Sequence, residues 1–422
     1  MNSNQKNSAT PKIRFPEFKK AGAWKRKILG PYIEEYSEKT SSNTKLEVYS
    51  STREGLKPQN EYYDGRNLLN DGEYGVVPQG YFVYRHMSDD DVFKFNLNTL
   101  GKKIAVSKEY PVFKTINLDA RFLLYELNEG KEFKKFAVSQ KKGGTRTRLY
   151  LSALRNFEIF LPSLEEQQKI SDCLSSADEL IVAHIAKLVA LKKHKQALIQ
   201  QLFPMEGKAA PKRRFPGFSS PWTKTKVGSL VDLLSGHAFK SGYFSDSGTK
   251  LLTPKNFTKD GYANFTENNT KFTTELVHEK YLCGEGDLLL LLTDLTPSCE
   301  LLGRPLLLTK QDNEIFLNQR IAKIVPKNQV EIRFLQYFFS TEVFRKRIKE
   351  TATGSTVRHT SNKIILSSDI YLPSKSEQQK IANCLASIDE LIINQTEKIN
   401  GLKAHKKGLI QNLFPAMAEE NK

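Results

Sequence analysis

Two stretches of the chain carry apolar residues at alternating steps of four and three. The first runs Ile170, Leu174, Ala177, Ile181, His184, Leu188, Leu191, Lys195, Leu198, Leu202, and the second runs Ile381, Leu385, Ile388, Ile392, Gln395, Ile399, Leu402, Lys406, Leu409, Leu413. This is the seam of a coiled coil, and it predicts two long helices. Pro162 and Pro373 stop whatever precedes each helix, and Ser163 or Ser374 stands three residues before Glu166 or Glu377, the spacing of a capping box. Leu-Phe-Pro, at 202–204 and 413–415, ends each helix. At 1.5 Å per residue, the stretch from Glu165 to Leu202 would reach about 55–60 Å. The polar seam residues His184 and Gln395, and Lys195 and Lys406, interrupt both copies at matching places and are expected to fix register and orientation. Cys173 and Cys384 beside the seam read as small buried residues. The glutamate- and glutamine-rich helix starts and the basic runs Lys192–Lys195 and Lys403–Lys407 are expected on the outward faces, as solvated surface or as docking surface.

These two stretches belong to a repeat. Leu161–Pro204 returns as Leu372–Pro415 with 26 of 44 positions identical and no gap. A shorter match precedes each: Pro11–Phe18 (PKIRFPEF) resembles Pro211–Phe218 (PKRRFPGF), followed by Trp24 or Trp222. The order of opening segment, unlike block and repeated helix therefore occurs twice, which predicts a circular, pseudo-twofold arrangement.

The blocks between these landmarks, about 25–155 and 225–365, share little sequence. In the second, 251–257, 287–292 and 321–325 alternate or cluster as strands do, and 330–349 reads as one amphipathic helix. In the first, 75–84 and 101–106 are strand-like and 118–136 is helical. Each block is an α+β module.

Composition narrows the partners. Lys and Arg number 64 against 47 Asp and Glu, a formal charge of +17, which favours a polyanion, nucleic acid foremost. No apolar run approaches the length of a membrane span, and Met1–Pro11 lacks the apolar centre of a secretory signal, so a cytoplasmic protein without a membrane partner is expected. The four cysteines show neither CxxC spacing nor histidine neighbours, which argues against zinc, and no metal ligands are expected. A GxxxxGK loop, an NPPY-like methyltransferase tetrapeptide and an HExxH pair are all missing from the sequence, so no catalytic residues are assigned.

Each block closes on a Gly-, Thr- and Arg-containing loop, GGTRTRLY at 143–150 and GSTVRHTSN at 354–362. Such loops suit DNA, because glycine allows close approach while arginine, asparagine and glutamine reach phosphates or base edges. The candidate DNA-binding residues are Arg85, Lys94, Thr145, Arg146 and Arg148 in the first block. In the second they are Lys240, Tyr243, Thr293, Arg304, Asn318, Gln319, Arg320, Thr356, Arg358, His359 and Asn362.

The doubled string of a strand ending in Leu-Pro, a short acidic segment, EQQKI, and (A/I)DELI, at 161–181 and 372–392, resembles the specificity, or S, subunit of type I restriction-modification systems. The second block is also similar to that family's recognition domains, through GHAFKSGYF, YLCGEGDLLLLLT and TGSTVRHTSNKIILSSDIYLP, whereas the first departs from them at YGVVPQGYFVYR. The resemblance implies an α+β protein with two globular target-recognition domains separated by an antiparallel coiled coil of two long helices. The implied divisions are recognition domain 1 over 1–160 with a disordered tail at 1–10, a central helical region 161–204, recognition domain 2 over 205–371, a C-terminal helical region 372–415, and a tail 416–422.

It further implies a non-catalytic subunit that reads a bipartite, non-palindromic sequence in double-stranded DNA. Two methylation subunits using S-adenosylmethionine and motor-nuclease subunits using ATP and Mg2+ would supply the chemistry, with no cofactor bound by this chain. Residues expected to serve the coiled coil and the partners are Glu166, Gln167, Gln168, Ile170, Leu174, Ile181 and Leu188, with Glu377, Gln378, Gln379, Ile381, Leu385, Ile392 and Ile399 in the second copy. The alternative reading is a basic coiled-coil regulator or scaffold that binds DNA without modification partners.

Overall fold

A computed structural model describes residues 8–63, 72–141, 145–296, 298–312, 314–327 and 330–415. The chain divides into two compact units, Met1–Ile185 with Glu397–Lys422, and Ala186–Thr396. Each unit contains one α+β block, part of the long helix Leu164–Leu202 and part of the long helix Lys375–Leu413. That division is the circular order the repeat implies, since the beginning and the end of the chain share the first unit, where Ile13 N–H donates to Asn412 O at 3.0 Å.

In the first unit, a four-stranded sheet contains Ile33–Glu35, Phe82–Tyr84, Phe95–Leu97 and Val112–Thr115. Its aromatic residues Phe82, Tyr84, Phe95 and Phe113 are fully buried with Phe122 and Leu123 of the helix Ala120–Glu129. Fully burying side chains of this kind stabilises by roughly 1.5–3 kcal/mol each. Ile170 and Leu174 from the start of one long helix join the same core as Ile410 and Leu413 from the end of the other, so the two helices run antiparallel here.

The second unit is built around the antiparallel sheet of Val231–Ser235, Ile321–Pro326, Leu288–Leu291 and Pro305–Leu307. Leu288–Leu291 is buried at every position, one face packing against the helices and the other against a five-stranded sheet. A strand covered on both sides reads as a continuous apolar run. Ile199, Leu202 and Phe203 pack with Ile381, Ala382 and Leu385, again antiparallel.

Several predicted elements break where a cap intervenes. The region 118–136 forms two helices, Ala120–Glu129 and Lys131–Ser139, interrupted at Gly130 in extended backbone. There a Cβ would lie 2.4 Å from Glu126 O. The region 330–349 is likewise split into Ile332–Phe338 and Glu342–Glu350, because Thr341 caps the second helix through its side chain. The expected strand 75–84 is two strands, Tyr74–Val77 and Phe82–Tyr84, with a turn at Gly80, φ +80°. Ser8–Ala9, placed by the sequence in a disordered tail, pairs with Trp24–Lys25 as an edge strand. No helix among the described residues is long and apolar enough to cross a membrane.

Candidate nucleic-acid interface

The repeated segments build one scaffold twice. Glu166 accepts from Arg14 Nε and Nη2, both at 2.6 Å, and from Trp24 Nε1 at 3.3 Å. Glu377 repeats the pattern with Arg214 Nε at 2.9 Å, Arg214 Nη2 at 2.7 Å and Trp222 Nε1 at 3.2 Å. This is why the opening segments recur with their arginine and tryptophan: each docks on a helix start through a bidentate pair. Gln167 donates to Pro162 O and accepts from Asp119 N, while Gln378 donates to Pro373 O and accepts from Glu331 N. Glu166, Gln167, Glu377 and Gln378 are therefore buried and satisfied inside the chain, not on an outward face. Only half of each expected capping box forms. Ser163 and Ser374 accept from the glutamate N–H, but the glutamate side chains go to arginine and tryptophan.

A second pair of matching clusters lies further along. Lys406 bridges Asp178 at 2.8 Å and Glu129 at 3.0 Å, and Tyr125 OH donates to Asp178 at 2.8 Å. Lys195 meets Asp389 at 2.5 Å, and Tyr337 OH donates to Asp389 at 2.7 Å. Burial and the neighbouring carboxylate push both tyrosine hydroxyls well above the phenol range. The two seam lysines thus fix register by facing an aspartate of the other helix within each unit, and neither is simple solvated surface. The apolar seam residues Ile170, Leu174, Ile181, Ile381, Leu385, Ile392 and Ile399 are buried and Leu188 is half-buried. Among the residues expected to meet partners, Gln168 and Gln379 are exposed, as are Leu180, Val182, Leu391 and Ile393, which the seam pattern passes over. Cys173 and Cys384 are half-buried thiols.

On this scaffold each unit carries a two-stranded ribbon that joins loops distant in sequence. In the first unit Met87–Ser88 pairs with Thr147–Arg148, bringing the loop after Tyr84 against the Thr-Arg loop. Arg85, Thr145, Arg146 and Arg148 are exposed there, with Arg146 Nε on Asp89 at 2.7 Å and Thr147 hydrogen-bonded to Asp91. Gly143 and Gly144 lie outside the described residues. Lys94 is not part of this edge. Its half-buried ammonium lies near Glu129, Asp178 and Lys406, and desolvation pushes its pKa below the usual lysine value.

In the second unit Thr293–Asp294 pairs with Arg358–His359, and Thr293 Oγ1 and His359 Nδ1 are 3.1 Å apart. Thr360 N donates to Leu292 O at 3.0 Å, and Leu292 N donates to Arg320 O at 2.8 Å, which ties the Asn318–Arg320 turn to the ribbon. Gln319 N donates to His237 O and Asn362 Nδ2 to Ser235 Oγ. Glycine is needed at 236, where a Cβ would lie 2.3 Å from Leu317 O and Asn318 O. The structure thereby gathers Asn318, Gln319, Arg320, His359 and Asn362 around Thr293, which is itself buried, with Lys240 and Tyr243 exposed on the continuation of the His237 loop.

Arg358 folds back onto Gly354 O at 2.6 Å and Cys299 Sγ at 3.3 Å, closing a turn in which Gly354 has φ +89° and Thr356 is exposed. Arg304 is half-buried and donates to Glu300 O of its own loop, with burial lowering its pKa. The loop after Asp294 is rigidly seated. Burial pushes the Asp294 carboxyl up, but the Thr296, Leu301 and Leu302 N–H donors outweigh it and hold the group below its ordinary value. Below it Arg345, its pKa brought down to about 10 by burial, donates to the Cys299, Glu300 and Leu302 carbonyls. Pro297 of this loop lies outside the described residues. Among the described residues no group of three or more His, Cys, Asp or Glu side chains could hold a metal.

Two unlike α+β blocks on a duplicated helical scaffold, each ending in a ribbon that collects polar and basic loops, define a DNA-specificity architecture. The chain belongs to the family described as the type I restriction modification DNA specificity domain, whose sequence model matches residues 93–193 and 219–404. It is 30% identical over 333 residues to the type I restriction enzyme MjaVIII specificity subunit of Methanocaldococcus jannaschii, covering 75% of this chain and 74% of that one. The fold is similar to that of the S subunit of a type I restriction-modification system from M. genitalium, with TM-score 0.57 and 15% identity over 97% of this chain and 100% of the other. A chain from a structure of type I R-M complex assembly and conformational transition matches with TM-score 0.54 and 16% identity, covering 94% of this chain and 98% of that one.

Proposed function

We propose that this chain is the sequence-reading, non-catalytic subunit of a type I restriction-modification complex, each unit's ribbon contacting one half of a bipartite, non-palindromic DNA site. The observation that carries this reading is the recurrence of the ribbon. Loops more than fifty residues apart are joined in both units, and in both the joined loops expose arginine, threonine, histidine or amide side chains. Arginine and amide side chains there suit the acceptor-rich purine edges of the major groove. The recognition domains are assigned to 1–160 and 205–371, and the repeated helical regions to 161–204 and 372–415.

Adenine methylation with S-adenosylmethionine and ATP- and Mg2+-dependent cleavage are assigned to partner subunits, two methylation subunits and the motor-nuclease subunits, acting in the cytoplasm. The exposed apolar pairs Leu180 and Leu391, and Val182 and Ile393, repeat with the helices and support equivalent docking of two copies of one partner.

Mapping N6-methyladenine across the genome of cells with and without this chain tests the reading. A two-part motif that disappears with the chain is the expected result, together with copurification of a methyltransferase. A chain that binds DNA alone and leaves methylation unchanged would instead be a regulator or scaffold. Inserting four residues after Leu188 should lengthen the unread spacer of the mapped motif, since four residues shift a heptad seam by about one turn.

A further inference from the structure

We propose that Arg53 is a base-contacting residue of the first unit, reading a guanine of a G·C pair beside Arg146; this rests on the DNA-reading assignment above. Arg53 sits in the two-residue tip of a hairpin, Tyr49–Thr52 paired with Gly55–Pro58, with Thr52 opposite Gly55. The tip is held firmly. Tyr49, Ser50, Ser51 and Thr52 are all buried, and Asn96 Nδ2 donates to Ser51 Oγ at 2.8 Å and Thr52 O at 3.0 Å.

From this base the Arg53 side chain, 59% exposed, places Nη2 2.5 Å from Asp90 Oδ1. Asp90 is itself fixed by Ser88 Oγ at 2.8 Å, on the strand that forms the ribbon, and the adjacent Asp89 holds Arg146. Two guanidinium groups are thus held to one loop by consecutive aspartates. A guanidinium has five N–H donors, and each aspartate contact occupies a single nitrogen, leaving terminal N–H groups free for guanine O6 and N7. The carboxylates select the ligand as well. A phosphate beside Asp89 and Asp90 would be repelled, whereas the cytosine N4 amino group can donate to them. Arginine next to aspartate therefore matches the acceptors and the donor of a G·C pair together.

The test uses the full chain with the methyltransferase that copurifies with it. The probes are duplexes bearing the mapped site, with 7-deazaguanine, which lacks the N7 acceptor, placed singly in the half-site that Arg146→Ala weakens. Arg53→Ala should lower binding to the cognate duplex about 10- to 100-fold, the range of one bidentate base contact, and leave unrelated duplexes within about twofold. Arg53→Lys, which keeps the charge but not the fork, should lose nearly as much. At one position 7-deazaguanine should weaken the unsubstituted protein and have no added effect on Arg53→Ala. Unchanged binding by Arg53→Ala, equal weakening on every duplex, or fully additive losses would overturn the proposal. If Arg146→Ala and Arg148→Ala also leave binding untouched, the DNA-reading assignment of this unit fails; if they weaken it and Arg53→Ala does not, only the role of Arg53 fails.

Discussion

The two units agree residue for residue where they hold their helices and differ where their ribbons face outward. Arg14, Trp24, Glu166, Tyr125 and Asp178 of the first unit have counterparts in Arg214, Trp222, Glu377, Tyr337 and Asp389 of the second, with hydrogen bonds of the same kind. At the ribbons, the first unit sets guanidinium groups against Asp89 and Asp90, while the second uses a Thr293–His359 hydrogen bond and satisfies its aspartate, Asp294, with backbone N–H groups. A buried charge tolerates no loss of its partner, so the scaffold chemistry is locked. The exposed side chains beside the ribbons, Arg146 and Arg148 in one unit and Gln319, Arg320 and His359 in the other, have water as an alternative partner and are free to vary, which lets one frame carry two different readers.

The largest effect that would break the equivalence of the scaffolds is loss of a clamp. Glu166→Ala and Glu377→Ala should each destabilise by about 3–5 kcal/mol, because a largely buried arginine loses its carboxylate and a tryptophan N–H its acceptor. Denaturant unfolding checks this, and a cost in one unit alone would show that the matching geometry hides unequal energetics. Lys195→Met, which takes the cation from the buried Asp389, should cost about 1–3 kcal/mol in the same assay, and Lys406→Met should cost less, because the Asp178 side chain is 43% exposed to water.

At the ribbons the units should separate. Arg146→Ala should reduce recognition of one half-site by about 1–3 kcal/mol. Thr293→Ala, which removes the buried hydroxyl that meets the exposed His359, should affect the other half-site alone, by about 1 kcal/mol for one hydrogen bond. Methylation mapping of each variant reads out both, and a variant that alters both half-sites would contradict independent readers.

The smallest effect sharpens a contrast inside the cores. Glu126 follows Tyr125 where Phe338 follows Tyr337, and burial, then the nearby Glu132 charge, raises its carboxyl pKa to about 7. The folded first unit therefore binds a proton that the unfolded chain releases above the ordinary glutamate value of about 4.3. Stability falls as pH rises between these two values, and the full penalty applies by pH 8. Glu126→Gln should raise the unfolding temperature at pH 8 by a few degrees, corresponding to about 1–2 kcal/mol, and should change little at pH 4.5.

Much of the scaffold was legible because it repeats. The heptads announced the long helices, the recurrence of the opening segments implied the circular order, and the antiparallel pairing came only from the family resemblance. The roles of Arg14, Trp24 and Asp178 were not legible, although each lies in a repeated string, because a buried ion pair leaves no periodic trace and Glu166 is as compatible with a helix surface as with a core. The same limit hid the surroundings of Lys94 and Arg304, whose basic character suited a DNA edge: Lys94 lies near Glu129 and Asp178, and Arg304 donates to Glu300 O of its own loop. Arg53 had a local signal, a Thr-Arg-Glu-Gly tip between alternating residues, but nothing in the sequence connected it to Asp90.

By itself, the sequence determined the duplicated plan, the α+β class and the family, since periodicity, repetition and a doubled motif are properties of order along a chain. Only the tertiary structure decided which charges are buried clamps and which loops share an edge. Those choices depend on contacts between residues 37 to 277 positions apart, from Arg53 with Asp90 to Glu129 with Lys406, where desolvation and partner geometry, not residue type, set the outcome.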